Sequence, residues 1–182
     1  MPKLVVLISV KLHAELLTPK SMSEGNGSNL QALMDATASG RLLGEISLVI
    51  SNRLHAKGLQ RAQNAGIPTT YLNLIPYSKR FPTSDASIKY GSEAREAYDT
   101  DLASKVLEVK PDMVVCAGFM HQILSNAFLD PLAKDDIPIL NLHPALPGAY
   151  DGVGAIERAF ADFQDGKIKR TGIMIHYVIR EV

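Results

Sequence analysis

Short apolar runs rich in β-branched residues alternate along this chain with longer segments of helical period, and no other sequence feature restricts its fold as strongly. Most runs are apolar on both faces, as expected for strands buried in a parallel sheet. Alternating strands and helices form βαβ units, so the sequence predicts an α/β fold: an open, mostly parallel twisted sheet with helices on both faces. Six strands are predicted, at Lys3–Ser9, Ile46–Ser51, Thr69–Leu72, Met113–Ala117, Ile137–His143 and Gly172–Ile179.

The segments between these runs divide into helices and one long loop. Residues 75–91 contain Pro76, Pro82 and several Ser, Lys and Arg residues without an apolar period, which predicts a surface loop. Helical period and terminal signals such as Gly66 and Pro111 define the remaining segments. Helices are predicted at Asn29–Ala38, Ala56–Ala65, Glu93–Lys110 and Val153–Asp165.

Composition restricts the class of protein and its partners. A chain of 182 residues is expected to form a single domain, residues 1–182. Its 19 basic and 19 acidic side chains balance, so it lacks the broad positive field that nucleic acid or an anionic membrane surface attracts. The early apolar run Leu4–Val10 is far shorter than the ~20 residues of a membrane span. A single cysteine, Cys116, excludes a disulfide framework and predicts a buried thiol in a cytoplasmic protein.

A glycine turn, Gly25–Asn29, precedes the first predicted helix. Such turns let backbone N–H groups and a helix N-terminus face an anion, which favours a phosphate. Leu30 stands where a dinucleotide-binding turn has a third glycine, and the second strand ends in Ser51-Asn52 instead of an acidic residue, so a dinucleotide is disfavoured. An ordinary turn with Ser28 or Asn29 as the helix cap fits these five residues equally well.

The segment that follows the fifth predicted strand is more specific. Asn141 and His143 are two residues apart, so both side chains emerge on the same side of the strand at its carboxyl end, where open α/β sheets bind ligands. Pro144 and Pro147 stiffen the loop that leaves the strand. An amide donor and an imidazole fixed in this way suit catalysis, whereas a histidine hydrogen-bonded to nearby backbone is the structural alternative.

Several segments occur together in the order and spacing of one enzyme family. They resemble the phosphoribosylglycinamide formyltransferases, and residues 137–182 are most similar to the fungal single-function form. The resemblance covers almost the whole chain apart from Val10–Glu24. The matching segments are Val5–Ser9, Gly25–Ala32, Ser51–Asn52, Ala117–Met120 and Asn141–Pro144.

This resemblance implies a Rossmann-like formyltransferase fold and formyl transfer from 10-formyltetrahydrofolate to the amine of phosphoribosylglycinamide in purine biosynthesis, without a metal. Asn141 and His143 match the catalytic positions, as donors to the developing oxyanion and, for His143, as the proton carrier. The positions that match binding sites are Gly27, Ser28 and Asn29 for the phosphoribosyl substrate, and Arg95, Met120, His121, Gln122, Ile123, Leu124 and Asn141 for the folate.

The chain departs from the family pattern at three places. Residues 10–24 form an atypical insert between Ser9 and the glycine turn, and either His121 or Gln122 is one residue more than the family has. In the family an aspartate follows directly after the segment matched by His176–Val182. We therefore expect a chain of these residues to be catalytically impaired, and we expect the sheet face near Ile173 and Ile175 to lack cover.

Two other functions fit the same residues. One is a domain that binds the phosphoribosyl ligand or the folate without turnover. The other is a formyltransferase that acts on another amine, as the methionyl-tRNA formyltransferases do, although a neutral chain without a second domain argues against tRNA.

Overall fold

A mostly parallel sheet forms the middle layer of the protein, which a computed structural model describes for residues 1–8, 27–81, 92–119, 124–151 and 154–180. The insert 10–24 lies outside these residues. The strands described are β1 Lys3–Ile8, β2 Glu45–Ser51, β3 Thr69–Tyr71, β4 Met113–Cys116, β5 Ile139–His143 and β6 Met174–Tyr177. The helices described are α1 Ser28–Ala38, α2 Lys57–Asn64, α3 Ile75–Arg80, α4 Glu93–Glu108, α5 Asn126–Lys134 and α6 Ala155–Gln164.

The strand order in the sheet is β3-β2-β1-β4-β5-β6. The neighbours from β3 to β5 pair in parallel, and β6 alone pairs antiparallel, with β5. The predicted class is therefore confirmed, and each of the six predicted strands overlaps an observed one. The sheet reverses its winding direction between β1 and β4, because the chain builds outward from β1 first to β2 and β3 and later to β4 and β5.

Helices cover both faces of the central strands because alternate residues of β1 point to opposite sides. Val5 and Leu7 are fully buried in a cluster on the face covered by α4 and α5. Val6 and Ile8 are buried in a second cluster on the other face, with side chains from α1 and α2. A strand buried on both faces needs apolar residues at every position, which is the pattern the sequence shows.

Two helices correct the sequence analysis. Part of the predicted loop, Ile75–Arg80, is helix α3; its Pro76 stands in the first turn, where the missing N–H has no helical partner to lose. Residues 82–91 of that loop lie outside the described part of the chain. Helix α5 was not predicted, and it contains Pro131, a residue that usually argues against a helix interior.

The last strand also differs from expectation. The pattern of Gly172–Ile179 predicted a buried parallel strand, whereas β6 is an antiparallel edge strand with alternating burial. Met174 and His176 are half-buried on one face. Ile173 and Ile175 are 67% and 62% exposed, so the apolar face expected to lack cover is exposed in the described part of the chain.

Cys116 is buried within the sheet. Burial raises the pKa of its thiol to about 12, so the thiol stays protonated and packs as a small apolar group.

The longest helix in the described ranges, α4, has 16 residues. None of the helices described there combines the length and apolar character that crossing a bilayer requires.

The packing of α5 can be tested at Phe128, which is fully buried between this helix and the sheet. We expect Phe128→Ala to lower the free energy of unfolding by about 3–5 kcal/mol, because it removes buried apolar surface and leaves a cavity. Denaturant unfolding measures this change. The matched control is Phe163→Ala in α6, where the ring is exposed and the change should stay within about 0.5 kcal/mol. Equal losses at the two positions would contradict the described packing of α5.

Candidate functional site

The candidate site lies at the edge of the sheet where the parallel strands end. In open α/β sheets, ligands bind outside the carboxyl ends of the strands, where neighbouring connections diverge. Here that place is between β1 and β4, next to the end of β5. The predicted phosphate turn precedes α1, and Asn141 and His143 end β5, so both motifs belong to elements that border this edge.

Helix α1 begins at Ser28, and Gly27 is its N-cap residue. The alternative of Ser28 or Asn29 as the cap is therefore wrong. Gly27 has a φ of 66°, a left-handed conformation that glycine adopts without strain. No side chain caps the helix and its first turn holds no acidic residue, so its N–H groups and positive end suit an anion. Gly25 and Asn26 lie outside the described residues.

Close packing against α2 fixes the start of α1. A Cβ added to Gly27 would lie 2.8 Å from the Cα atom of Gly58, so neither backbone could stay in place. Farther along, Arg61 of α2 donates from Nη1 to Gln31 Oε1 of α1 at 2.8 Å. The two helices therefore hold the turn at Gly27 in a defined position.

At the end of β5, the side chain of Asn141 is oriented by His176. The antiparallel register places Asn141 opposite His176, and their Nδ2 and Nε2 atoms are 3.1 Å apart. His176 Nδ1 lies 3.0 Å from the carbonyl oxygen of Tyr177, which can only accept, so Nδ1 carries the proton in the neutral ring. His176 Nε2 is then an acceptor, and the Asn141 amide donates one N–H to it. The second N–H of that amide remains for another acceptor.

His143 lies on the same face of the sheet as Asn141. Its Nε2 atom is buried, and among the described residues nothing hydrogen-bonds to it. In the described structure, therefore, Nε2 of His143 does not hydrogen-bond to nearby backbone, which was the structural alternative for this residue. Buried polar atoms without partners are costly, and one at the carboxyl end of a strand is suited to meet a ligand.

Arg95 is 3% exposed in the first turn of α4, so it is an ion-pair partner and not a solvated helix residue. Its Nε atom donates to Asp99 Oδ1 at 2.9 Å. The other carboxylate oxygen of Asp99 accepts from the backbone N–H of Ser125 at 2.8 Å, next to the buried Leu124. The expected folate positions Met120, His121, Gln122 and Ile123 lie outside the described residues.

Sequence reasoning missed two of these residues, His176 and Asp99. The sequence does not single out His176, because the antiparallel return of β6 cannot be read from its pattern. Asp99 stands four residues after Arg95, a spacing at which helical side chains meet, and this spacing was the available signal.

Comparisons with known proteins identify relatives of this chain. Residues 21–182 match the model of the formyl transferase family. The chain is 52% identical over 161 residues to the phosphoribosylglycinamide formyltransferase of Schizosaccharomyces pombe, an alignment that covers 87% of this chain and 73% of that protein. The enzyme of the same name from Saccharomyces cerevisiae is 48% identical over 163 residues, with the same shares covered. Among solved structures, glycinamide ribonucleotide transformylase 1 from Symbiobacterium toebii matches with a TM-score of 0.71 and 28% identity, covering 100% of this chain and 68% of that one.

The turn at Gly27 gives a direct test of the anion site. Gly27→Ala should lower both stability and affinity for a phosphomonoester, because it adds a left-handed strain of ~1–2 kcal/mol and pushes α1 away from Gly58. We expect at least a tenfold weaker affinity in calorimetry with ribose 5-phosphate. Gly40→Ala is the matched control: its φ is 71° but nothing lies within 4 Å of the added Cβ, so it should lose stability only. Unchanged affinity in Gly27→Ala would exclude this turn as the phosphate site.

Proposed function

This chain belongs to the formyl transferase family, and we propose that it transfers the formyl group of 10-formyltetrahydrofolate to the amine of phosphoribosylglycinamide, a step of purine biosynthesis. One observation carries the proposal: the oriented amide of Asn141 and the buried, unpartnered Nε2 of His143 share one face at the end of β5. The names of the fungal relatives support the acceptor.

In this reaction the substrate amine attacks the formyl carbon, and the carbonyl oxygen gains negative charge. Donors held in place before the reaction stabilise that charge without reorganising. Asn141 meets this requirement because His176 engages one amide N–H and thereby directs the other. His176 acts through Asn141 and is a positioning residue.

His143 supplies the second group that acyl transfer needs. In its charged form, Nε2 donates a hydrogen bond to the same oxygen and adds electrostatic stabilisation. A proton must later reach the departing folate nitrogen, and the imidazolium N–H at Nε2 can deliver it.

Two binding regions bring the substrates to these groups. The phosphate of the acceptor binds at the start of α1, to backbone N–H groups of Gly27, Ser28 and Asn29. The folate is assigned to Arg95 and the segment Met120–Leu124, the positions that match the folate site of the family, together with Asn141. Holding the amine and the formyl carbon in contact lowers the barrier as much as any single side chain, because it removes the entropy of bringing them together.

The proposal requires small molecules as partners and no metal, nucleic acid or membrane. Within the described ranges, no group of three His, Cys, Asp or Glu residues could hold a metal ion. A reduced thiol at Cys116 and a chain without net charge fit a location in the cytoplasm.

A formyl-transfer assay on the chain extended with the aspartate-containing segment of the family tests the proposal. We expect His143→Ala to lower turnover by about 100-fold or more, the scale of losing a general acid and an electrostatic stabiliser. The control is His55→Ala, an exposed loop histidine whose removal should leave turnover unchanged. Near-normal turnover in His143→Ala would remove this residue from the mechanism. Transfer to methionyl-tRNA in place of phosphoribosylglycinamide would instead identify a different acceptor, and binding of both substrates without transfer would identify a ligand-binding domain.

Asn141→Ala tests the oxyanion donor separately. Removal of one such donor typically costs about 100-fold or more in turnover, so we expect a loss of that size with the affinity for phosphoribosylglycinamide within about threefold. The measurements are single-turnover rates and calorimetric affinities, with the exposed Asn64→Ala as control. If affinity fell while the rate of bound substrate held, Asn141 would be an anchor for the acceptor.

A further inference from the structure

The carboxylate of Asp99 connects two separate elements deep in the protein. It is fully buried in α4 and binds one donor with each oxygen: Arg95 Nε at 2.9 Å and the backbone N–H of Ser125 at 2.8 Å. Arg95 belongs to the same helix, whereas Ser125 is the N-cap residue of α5, 26 residues farther along the chain. Asp99 is therefore a bridge between Arg95 and the start of α5.

Stability alone does not account for such a bridge. Taking a carboxylate and a guanidinium out of water costs several kcal/mol per ion, and buried ion pairs often add little or nothing over apolar residues of similar size. The pair does fix the orientation of the Arg95 side chain. A hydrogen bond at Nε fixes the plane of the guanidinium and the course of the long Arg95 side chain, which has many rotamers when it is unrestrained.

The second hydrogen bond acts on the backbone. By accepting from Ser125, Asp99 fixes the peptide that joins Leu124 to Ser125, and Leu124 is itself buried. The hydroxyl of Ser125 does not cap α5, so the position of this helix start depends on the backbone contact. Leu124 is the last residue of the segment assigned to the folate above, and Arg95 is the charged group assigned to it.

We propose that Asp99 is a positioning residue of the folate site, which sets Arg95 and Leu124 at a fixed distance from each other. This inference rests on the proposed function. The guanidinium supplies a charged anchor for a carboxylate of the folate, and the apolar Leu124 supplies a wall for its ring system. Asp99 touches neither the folate nor the reacting atoms, so its removal should affect folate binding and spare the phosphoribosyl site at α1.

The test compares Asp99→Asn, Arg95→Ala and the double variant by calorimetry with a stable 10-formyl folate analogue and, separately, with phosphoribosylglycinamide. We expect each single variant to bind the folate analogue at least about tenfold more weakly. Its affinity for phosphoribosylglycinamide should stay within about twofold of the unmodified chain. The double variant should lose less affinity for the analogue than the sum of the two single losses, because Asp99 acts partly through Arg95 and partly through Ser125. The matched control is Glu96→Gln, which removes an exposed negative charge beside Arg95 and should change neither affinity.

Kinetics provide a second readout that a general loss of structure would not reproduce. Asp99→Asn should raise KM for the folate substrate while kcat and KM for the acceptor stay within about twofold. Since Asp99→Asn removes a negative charge beside the buried Arg95 guanidinium, this variant is the one most prone to fail to fold. Asp99→Glu then replaces it: the charge is kept, the longer side chain displaces the guanidinium, and weaker folate binding with normal acceptor binding is expected.

Three outcomes overturn the inference. Equal losses of affinity for the folate analogue and for phosphoribosylglycinamide would make Asp99 a structural residue. Fully additive losses in the double variant would show that Asp99 does not act through Arg95. Unchanged folate affinity in Asp99→Glu and Arg95→Ala would remove both residues from the site. The proposed function survives each of these results. If the unmodified chain bound no folate analogue at all, the proposed function would fail and the inference with it.

Discussion

The parallel pairing of β1 with β2 on one side and β4 on the other is the constraint on which the rest of the structure depends. Val5, Val6 and Leu7 are fully buried, so both faces of this strand must be covered and the connections must cross as helices. Parallel strands also end at a common edge. The start of α1 and the end of β5 border that edge as a result, although more than a hundred residues separate them.

The antiparallel strand β6 adds the His176 side chain to that edge of the sheet. Because β6 runs against β5, its first residues lie beside the end of β5, and His176 faces Asn141. A chain of hydrogen bonds from the Tyr177 carbonyl through His176 to Asn141 then selects one orientation of the amide. The opposite face carries the exposed Ile175, next to the exposed Ile173 that precedes the strand, so β6 presents His176 to the site on one face and exposed apolar side chains on the other.

The ion pairs of the protein show why burial decides what a charge does. Lys167 Nζ lies 3.0 Å from Asp162 Oδ1 on the surface, and such exposed pairs contribute little to stability because water screens them. Arg95 and Asp99 are excluded from water, where an unpaired charge is far more costly. The hydrogen bond between Arg95 and Asp99 therefore restricts both side chains to one geometry, whereas the solvated surface pair is free to exchange its contacts for water.

The sequence by itself determined the α/β class, the positions of six strands, the glycine turn and the pair Asn141 and His143. It could do so because these features are local: the repeat of apolar residues reports the backbone period, and residues two apart on a strand share a face. Tertiary structure alone decided that His176 orients Asn141, that Asp99 reaches Ser125, and that β6 runs antiparallel at the sheet edge. These contacts join residues 26 or 35 positions apart, so they depend on how the chain turns back on itself, and no local period records that direction.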